Sequence, residues 1–171
     1  MGGRPKGLLP APDTGEALVA RAVRLARAIA LEVVLVGRAE AYRSLVPGTI
    51  ELSDEATGAG PLGGLCALLA WAGEQHVIAL ACDMPAVTVD DLRVLRDHPT
   101  DAPVVAARRD AHAPWEPLLA RYDPTRVLPV ARARLARGEW SLQGLLHAVD
   151  TVDAGLPSEA CEDWDTPDEV R

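Results

Sequence analysis

Short apolar runs alternate with longer segments of helical period almost from end to end, a pattern that predicts strand–helix crossover units and a mainly parallel sheet. From Glu16 to Ala30, residues Leu18, Val19, Ala22, Val23, Leu25, Ala26 and Ile29 form one broad face, with Arg21, Arg24 and Arg27 elsewhere, so an amphipathic helix is expected. Val33 to Val36 follows as a short buried strand that stops at Gly37 and Arg38. A brief helix around Ala39 to Leu45 leads to a strand from Thr49 to Leu52, ended by Ser53 and Asp54. The glycine-rich stretch Gly58 to Leu65 then runs into an apolar helix with the sequence CALLAWAG.

The stretch from His76 to Leu92 is the sharpest feature of the pattern. Its apolar run, Val77 to Cys82, ends abruptly at Asp83, and Pro85 prevents the ladder from continuing. Asp83 is therefore a carboxylate at the end of a buried strand, where open α/β sheets place their ligands. It serves equally well as a residue that simply turns the chain. Thr88 is expected to cap a helix from Val89 to Arg96, with Asp91 in the first turn. Pro103 to Ala107 reads as another strand, whereas His112 to Tyr122 is left open because two prolines interrupt it. Asp123 and Pro124 start a helix over Thr125 to Arg137 that Gly138 stops. Ser141 starts a shorter one through Ala148, Val149 to Val152 forms a late strand, and Asp165 and Thr166 before Pro167 mark one more helix start.

Composition narrows the function class. The 171 residues, 49% of them hydrophobic, suit one well-buried core and one domain spanning 1–171. A formal charge of -8 and a pI of about 4.9 disfavour nucleic acid and anionic membranes as partners. A phosphate-bearing ligand must then be met by local groups. Cys66, Cys82 and Cys161 are widely spaced, without a CxxC pair, and His76, His98, His112 and His147 are scattered, so neither zinc nor a catalytic triad is indicated. With no secretory segment and no apolar run approaching membrane length, a soluble cytoplasmic protein is expected.

Two segments have backbone suited to ligands. In MGGRPKGLL, Gly2 and Gly3 precede Lys6, so flexible backbone and one ammonium group are positioned to hold phosphates, although the ending of a Walker A loop is missing. A frayed terminus explains the same residues. In GAGPLGGL, glycines and a proline let the backbone approach a ligand closely, the helix beginning near Leu62 offers unpaired N–H groups to an anion or a base edge, and Asp54 lies just upstream on the rim predicted for Asp83. Close packing of helix on sheet is the alternative use of these glycines.

Taken in order, MGGRPKGLLP, VVLVGR, DEATGAGPLGG, ACDMPAVTVDDL, EPLLARY and the terminal DTPDE resemble the molybdenum cofactor guanylyltransferase family of nucleotidyltransferases over nearly the whole chain. The resemblance implies an α/β, Rossmann-like three-layer nucleotidyltransferase fold, with a mainly parallel sheet flanked by helices. It implies Mg²⁺-dependent transfer of GMP from GTP to molybdopterin with release of pyrophosphate. By the same matching, Lys6 and Asp83 are catalytic, and Gly2, Gly3, Lys6, Asp54, Gly60, Pro61, Leu62 and Asp83 bind the nucleotide. Asp83 and, in DWDTP, Asp163 are the metal candidates, while Glu116 matches a segment on the pterin side. Molybdoenzymes or cofactor-biosynthesis proteins are the implied protein partners. A solvated helix face accounts for Arg132, Arg134 and Arg137 better than an anionic substrate does.

Two departures from the family pattern shape the expectations. Gly37 stands where the family carries an asparagine, which removes one contact to the nucleotide. The chain also begins at the methionine of the family's RMG, so the first strand and the first half of the glycine-rich loop are expected to be absent, leaving neighbouring strand edges and apolar faces uncovered. Rival readings are a CTP-dependent cytidylyltransferase, disfavoured by GPLGG, and a truncated homologue that binds nucleotide, cofactor or a partner without turnover.

Overall fold

The computed structural model describes residues 5–37, 39–55, 58 and 60–163. A 3-10 turn at Lys6–Leu8 precedes helix α1 (Leu18–Ala28), strand β1 (Val34–Val36) and strand β2 (Ile50–Leu52). Helix α2 (Pro61–Ala72), strand β3 (Val77–Leu80), helix α3 (Val89–Asp97) and strand β4 (Val104–Ala107) continue the alternation. Strand β5 (Glu116–Tyr122), helices α4 (Pro124–Ala136) and α5 (Leu142–Ala148), and strand β6 (Thr151–Asp153) complete it. The segment Ala39 to Leu45, expected as a helix, holds only a 3-10 turn at Ala39–Ala41. So short a segment gains too few hydrogen bonds to offset nucleation.

The strands fall into two sheets. β1 and β2 pair in parallel, and a four-stranded sheet has the order β3-β5-β4-β6. β5 is antiparallel to both its neighbours, while β4 and β6 are parallel, so β3, β4 and β6 share one direction. β5 is the segment the two prolines obscured. Its register against β4 jumps from Ala106↔Ala120 to Ala107↔Glu116, so Pro117 occupies an irregularity where no ladder N–H is required of it.

Helices cover both faces of the larger sheet, which explains the continuous apolar run of β4. Val104 and Ala106 point to one layer with Leu62, Leu65 and Leu69 of α2, Val127 of α4 and Leu145 of α5. Val105 and Ala107 point the other way, toward Leu25 of α1 and Leu92 and Leu95 of α3. Local chemistry sets the helix starts as the sequence suggests. Thr88 and Asp91 form a reciprocal capping box on α3, and Asp123 and Ser141 cap α4 and α5.

One buried cation ties a helix end to the sheet. Arg121 of β5, 5% exposed, donates to the carbonyls of Arg96 and His98 at 3.2 and 3.0 Å and to that of Thr100 at 3.2 Å. Three carbonyls at the end of α3 are thereby satisfied by one guanidinium. Arg121→Leu leaves them without that donor, and a loss of about 2–4 kcal/mol in unfolding free energy is expected from urea titration. An unchanged urea midpoint would show that water replaces the guanidinium without cost.

Candidate functional site

The C-terminal ends of β1, β2 and β3 meet at one rim, and a cavity of about 610 Å³ opens there. Gly37, Tyr42, Asp54, Gly60, Pro61, Gly64, Cys82 and Asp83 line its polar end. Asp83 reaches the rim because β3 ends at Leu80 and the chain turns before Pro85. Lys6 is carried to it by the turn at Lys6–Leu8, and its Nζ lies 2.9 Å from Asp83 Oδ2, with both side chains partly buried. A charge pair joins residues separated by 77 positions in sequence.

Asp54 stands across the rim, just beyond β2. Close packing beneath it accounts for Gly64: a methyl group there would lie 3.0 Å from Val36 Cγ1 and 3.2 Å from Asp54 Oδ1. Gly60 precedes Pro61 with φ 60° and ψ -151°, a conformation open to glycine and strained for other residues. It directs the first turn of α2 at the cavity, with Pro61 at the position where a missing N–H costs nothing. Leu62 is fully buried in the core, so what it offers a ligand is confined to its backbone.

The structure thus brings Lys6, Asp54, Gly60, Pro61 and Asp83 to one cleft. Gly2 and Gly3 lie outside the described residues, as do Arg38 and residues 164–167 of the DWDTP segment. Asp163 does not line the cavity. It lies 3.7 Å from Arg109 Nη2, close enough to Glu116 to influence its titration. Among the described residues, no group of three or more His, Cys, Asp or Glu side chains could hold a metal ion. Among the described residues, a site built on Asp83 would be completed by ligands from substrate or water. The three arginines of the α4 region are engaged in ion pairs, Arg132 with Glu55, and Arg134 and Arg137 with Glu139.

Tyr42 and Cys82 are cleft residues that the pattern of the sequence did not single out. The hydroxyl end of the Tyr42 ring packs against Gly7, where a methyl group would sit 2.8 Å from Cε1 and 3.0 Å from the hydroxyl oxygen, so the turn carrying Lys6 is seated on this ring. Neither the brief helix expected there nor a lone tyrosine carries a signal for that contact. Cys82 is next to Asp83, and burial, with Asp83 adding to it, pushes its thiol up to about 11. It is protonated at neutral pH and is a poor nucleophile.

Comparison with known proteins gives this arrangement a context. Residues 1–152 match the family described as the MobA-like NTP transferase domain. A Pseudomonas putida (strain GB-1) protein named molybdenum cofactor guanylyltransferase is 37% identical over 151 residues, covering 85% of this chain and 75% of its own length. A protein of the same name from Pseudomonas entomophila (strain L48) is 35% identical over 159 residues, covering 90% and 79%. The crystal structure of molybdopterin-guanine dinucleotide biosynthesis protein A from Archaeoglobus fulgidus matches with a TM-score of 0.77 at 21% identity, over 98% of this chain and 88% of that one. That likeness establishes the α/β nucleotidyltransferase fold, with helices flanking the sheets.

Glu116 begins β5 beside the rim, and its carboxyl is raised above the usual range by burial and by Asp163, with Arg109 opposing. The charged form is the strained one, so its destabilising effect is full above the folded pKa and vanishes as pH falls below the unfolded value, about 4.3. Glu116→Gln is therefore expected to raise Tm at pH 7 and to match the parent protein near pH 3.5. A gain that persisted unchanged at pH 3.5 would assign the effect to packing instead.

Proposed function

The chain belongs to the MobA-like NTP transferase domain family, and from that premise we propose that it transfers GMP from GTP to the phosphate of molybdopterin, releasing pyrophosphate. The observation that carries this reading is the Lys6–Asp83 contact, in the same cavity as Asp54 and the turn into α2. The names of the P. putida and P. entomophila relatives support GTP as donor, and so does the Gly60 to Gly64 sequence GPLGG.

In the reaction an oxygen of the molybdopterin phosphate bonds to the α-phosphorus of GTP. The bond from that phosphorus to the oxygen bridging to the β-phosphate breaks, and the charge leaves with pyrophosphate. Such chemistry needs positioning and charge neutralisation more than a protein nucleophile, which agrees with a protonated Cys82. Lys6 neutralises the triphosphate and then the departing pyrophosphate. Asp54 and the first-turn N–H groups of α2 hold the guanosine side, with the dipole of a 12-residue helix aimed at the ligand.

Mg²⁺ fits the residues present, because this ion is commonly held by one or two carboxylates together with substrate phosphates and water. Asp83 is the carboxylate that would hold it, and when bound there it supplies positive charge to the α-phosphate. Asp163, beside Arg109, is a less suitable second ligand. A cytoplasmic setting is part of the proposal; no helix among the described residues is long and apolar enough to cross a membrane, and Cys66, Cys82 and Cys161 are free thiols.

Asp83→Ala is expected to lower kcat for GMP transfer by at least about 100-fold, measured as pyrophosphate release with GTP and molybdopterin. Lys6→Ala should raise the KM for GTP as well as lower kcat. GTP and CTP assayed side by side test the nucleotide, with GTP preferred. Activity and Mg²⁺ dependence left intact by Asp83→Ala would remove the assignment of Asp83, and a preference for CTP would remove that of the donor.

A further inference from the structure

Asp54 lines the cavity, but its neighbour Glu55 does not, and neither does Arg132 of α4. Outside the cavity these two side chains meet as a fork on a fork. Arg132 Nε donates to Glu55 Oε1 at 2.6 Å and Nη2 donates to Oε2 at 3.2 Å, across 77 positions of sequence. The guanidinium has a rigid base. Arg132 follows Ala131, which with Val127 is fully buried in one cluster with Leu62, Leu65 and Leu69 of α2. Glu55 is held through its backbone as well, its N–H donating to the Gly63 carbonyl at 3.2 Å. Elsewhere between β2 and α2 packing gives little support: a methyl group added at Gly58 or Gly60 would find nothing within 4 Å, and both residues have positive φ, 82° and 60°.

We infer that Arg132 is a positioning residue for the nucleotide: through Glu55 it fixes the chain at Asp54 and the entry to α2, and so sets the affinity for GTP from outside the cleft. The inference rests on the proposed reading of Asp54 and the first turn of α2 as the guanosine side. Its route is short. Asp54 is one residue from the fork, and its Oδ1 lies over Gly64 so closely that a methyl group there would be 3.2 Å away. A shift of Glu55 is therefore passed to a carboxylate with little room and to Gly63, whose carbonyl the Glu55 N–H holds. Exposure limits what the pair does for the fold as a whole. With side chains 51% and 31% exposed, it adds little to global stability. Its effect is local to one wall of the cleft and leaves the Lys6–Asp83 side unchanged. Arg134 and Arg137 do not share this role, because both pair with Glu139 instead.

The test compares the 171-residue chain with Arg132→Gln, Glu55→Gln and the exchanged pair that combines Glu55→Arg with Arg132→Glu. GTP affinity is read by calorimetry in the presence of Mg²⁺, and KM and kcat by pyrophosphate release with molybdopterin. Each single variant is expected to weaken GTP binding and raise the KM for GTP by about three- to fivefold, with kcat and the KM for molybdopterin unchanged and Tm within about 2 °C of the parent. The exchanged pair rebuilds the fork with its charges reversed, so its GTP affinity is expected to return to within about twofold of the parent. A purely structural role would instead move Tm, or both KM values and kcat together, and that result overturns the inference. So does unaltered GTP affinity in either single variant, or an exchanged pair no better than the singles. The calorimetric arm separates this inference from the reading beneath it. A parent that binds GTP without transferring GMP removes the reaction and leaves the Arg132 comparison to decide, whereas a parent that binds no GTP removes both.

Discussion

A carboxylate at the end of a buried strand has to be paired, and the position of Asp83 constrains much of what surrounds it. β3 delivers it to the rim, where burial removes part of its hydration, and Lys6 meets it at 2.9 Å. For a pair with side chains about 32% and 20% exposed the net stabilisation is modest, on the order of 1 kcal/mol. Its larger consequence is geometric. Holding Lys6 there fixes the turn at Lys6–Leu8, Gly7 becomes the residue that admits the Tyr42 ring, and the chain entering α1 starts at the mouth of the cavity.

Much of this was legible because local chemistry and tertiary structure agree. The abrupt stop of an apolar run at Asp83, the Thr88–Asp91 capping box and the Asp123–Pro124 helix start each have one dominant local explanation, and the structure uses it. The strand end before Asp54 puts it on the rim of Asp83, and the family resemblance adds Gly60 and Pro61; all three share the cavity with Asp83. β5 was hidden because proline normally argues against an interior strand, and only a tertiary irregularity opposite Ala106 and Ala107 makes Pro117 acceptable. Tyr42 was hidden because its partner, Gly7, is distant in sequence and has no side chain to advertise the contact.

The two halves of the cavity differ in the physics that would fill them. The lower part is apolar, and burying hydrocarbon and backbone there is favourable at any pH and almost any salt concentration. The rim is electrostatic, and its balance is unfavourable to an anionic substrate. Among the described residues lining it, Asp54 and Asp83 are acidic, and Asp83 is in contact with the Lys6 ammonium. The whole chain adds a formal charge of -8. That net charge gives a triphosphate no long-range attraction, so the proposed reaction would depend on short-range groups: the amide dipoles of α2, the Lys6 ammonium, and a divalent cation that Asp83 would hold. Affinity for nucleotide should accordingly follow the supply of that cation far more steeply than it follows ionic strength. A cleft that attracted nucleotide through a general positive field would show the reverse.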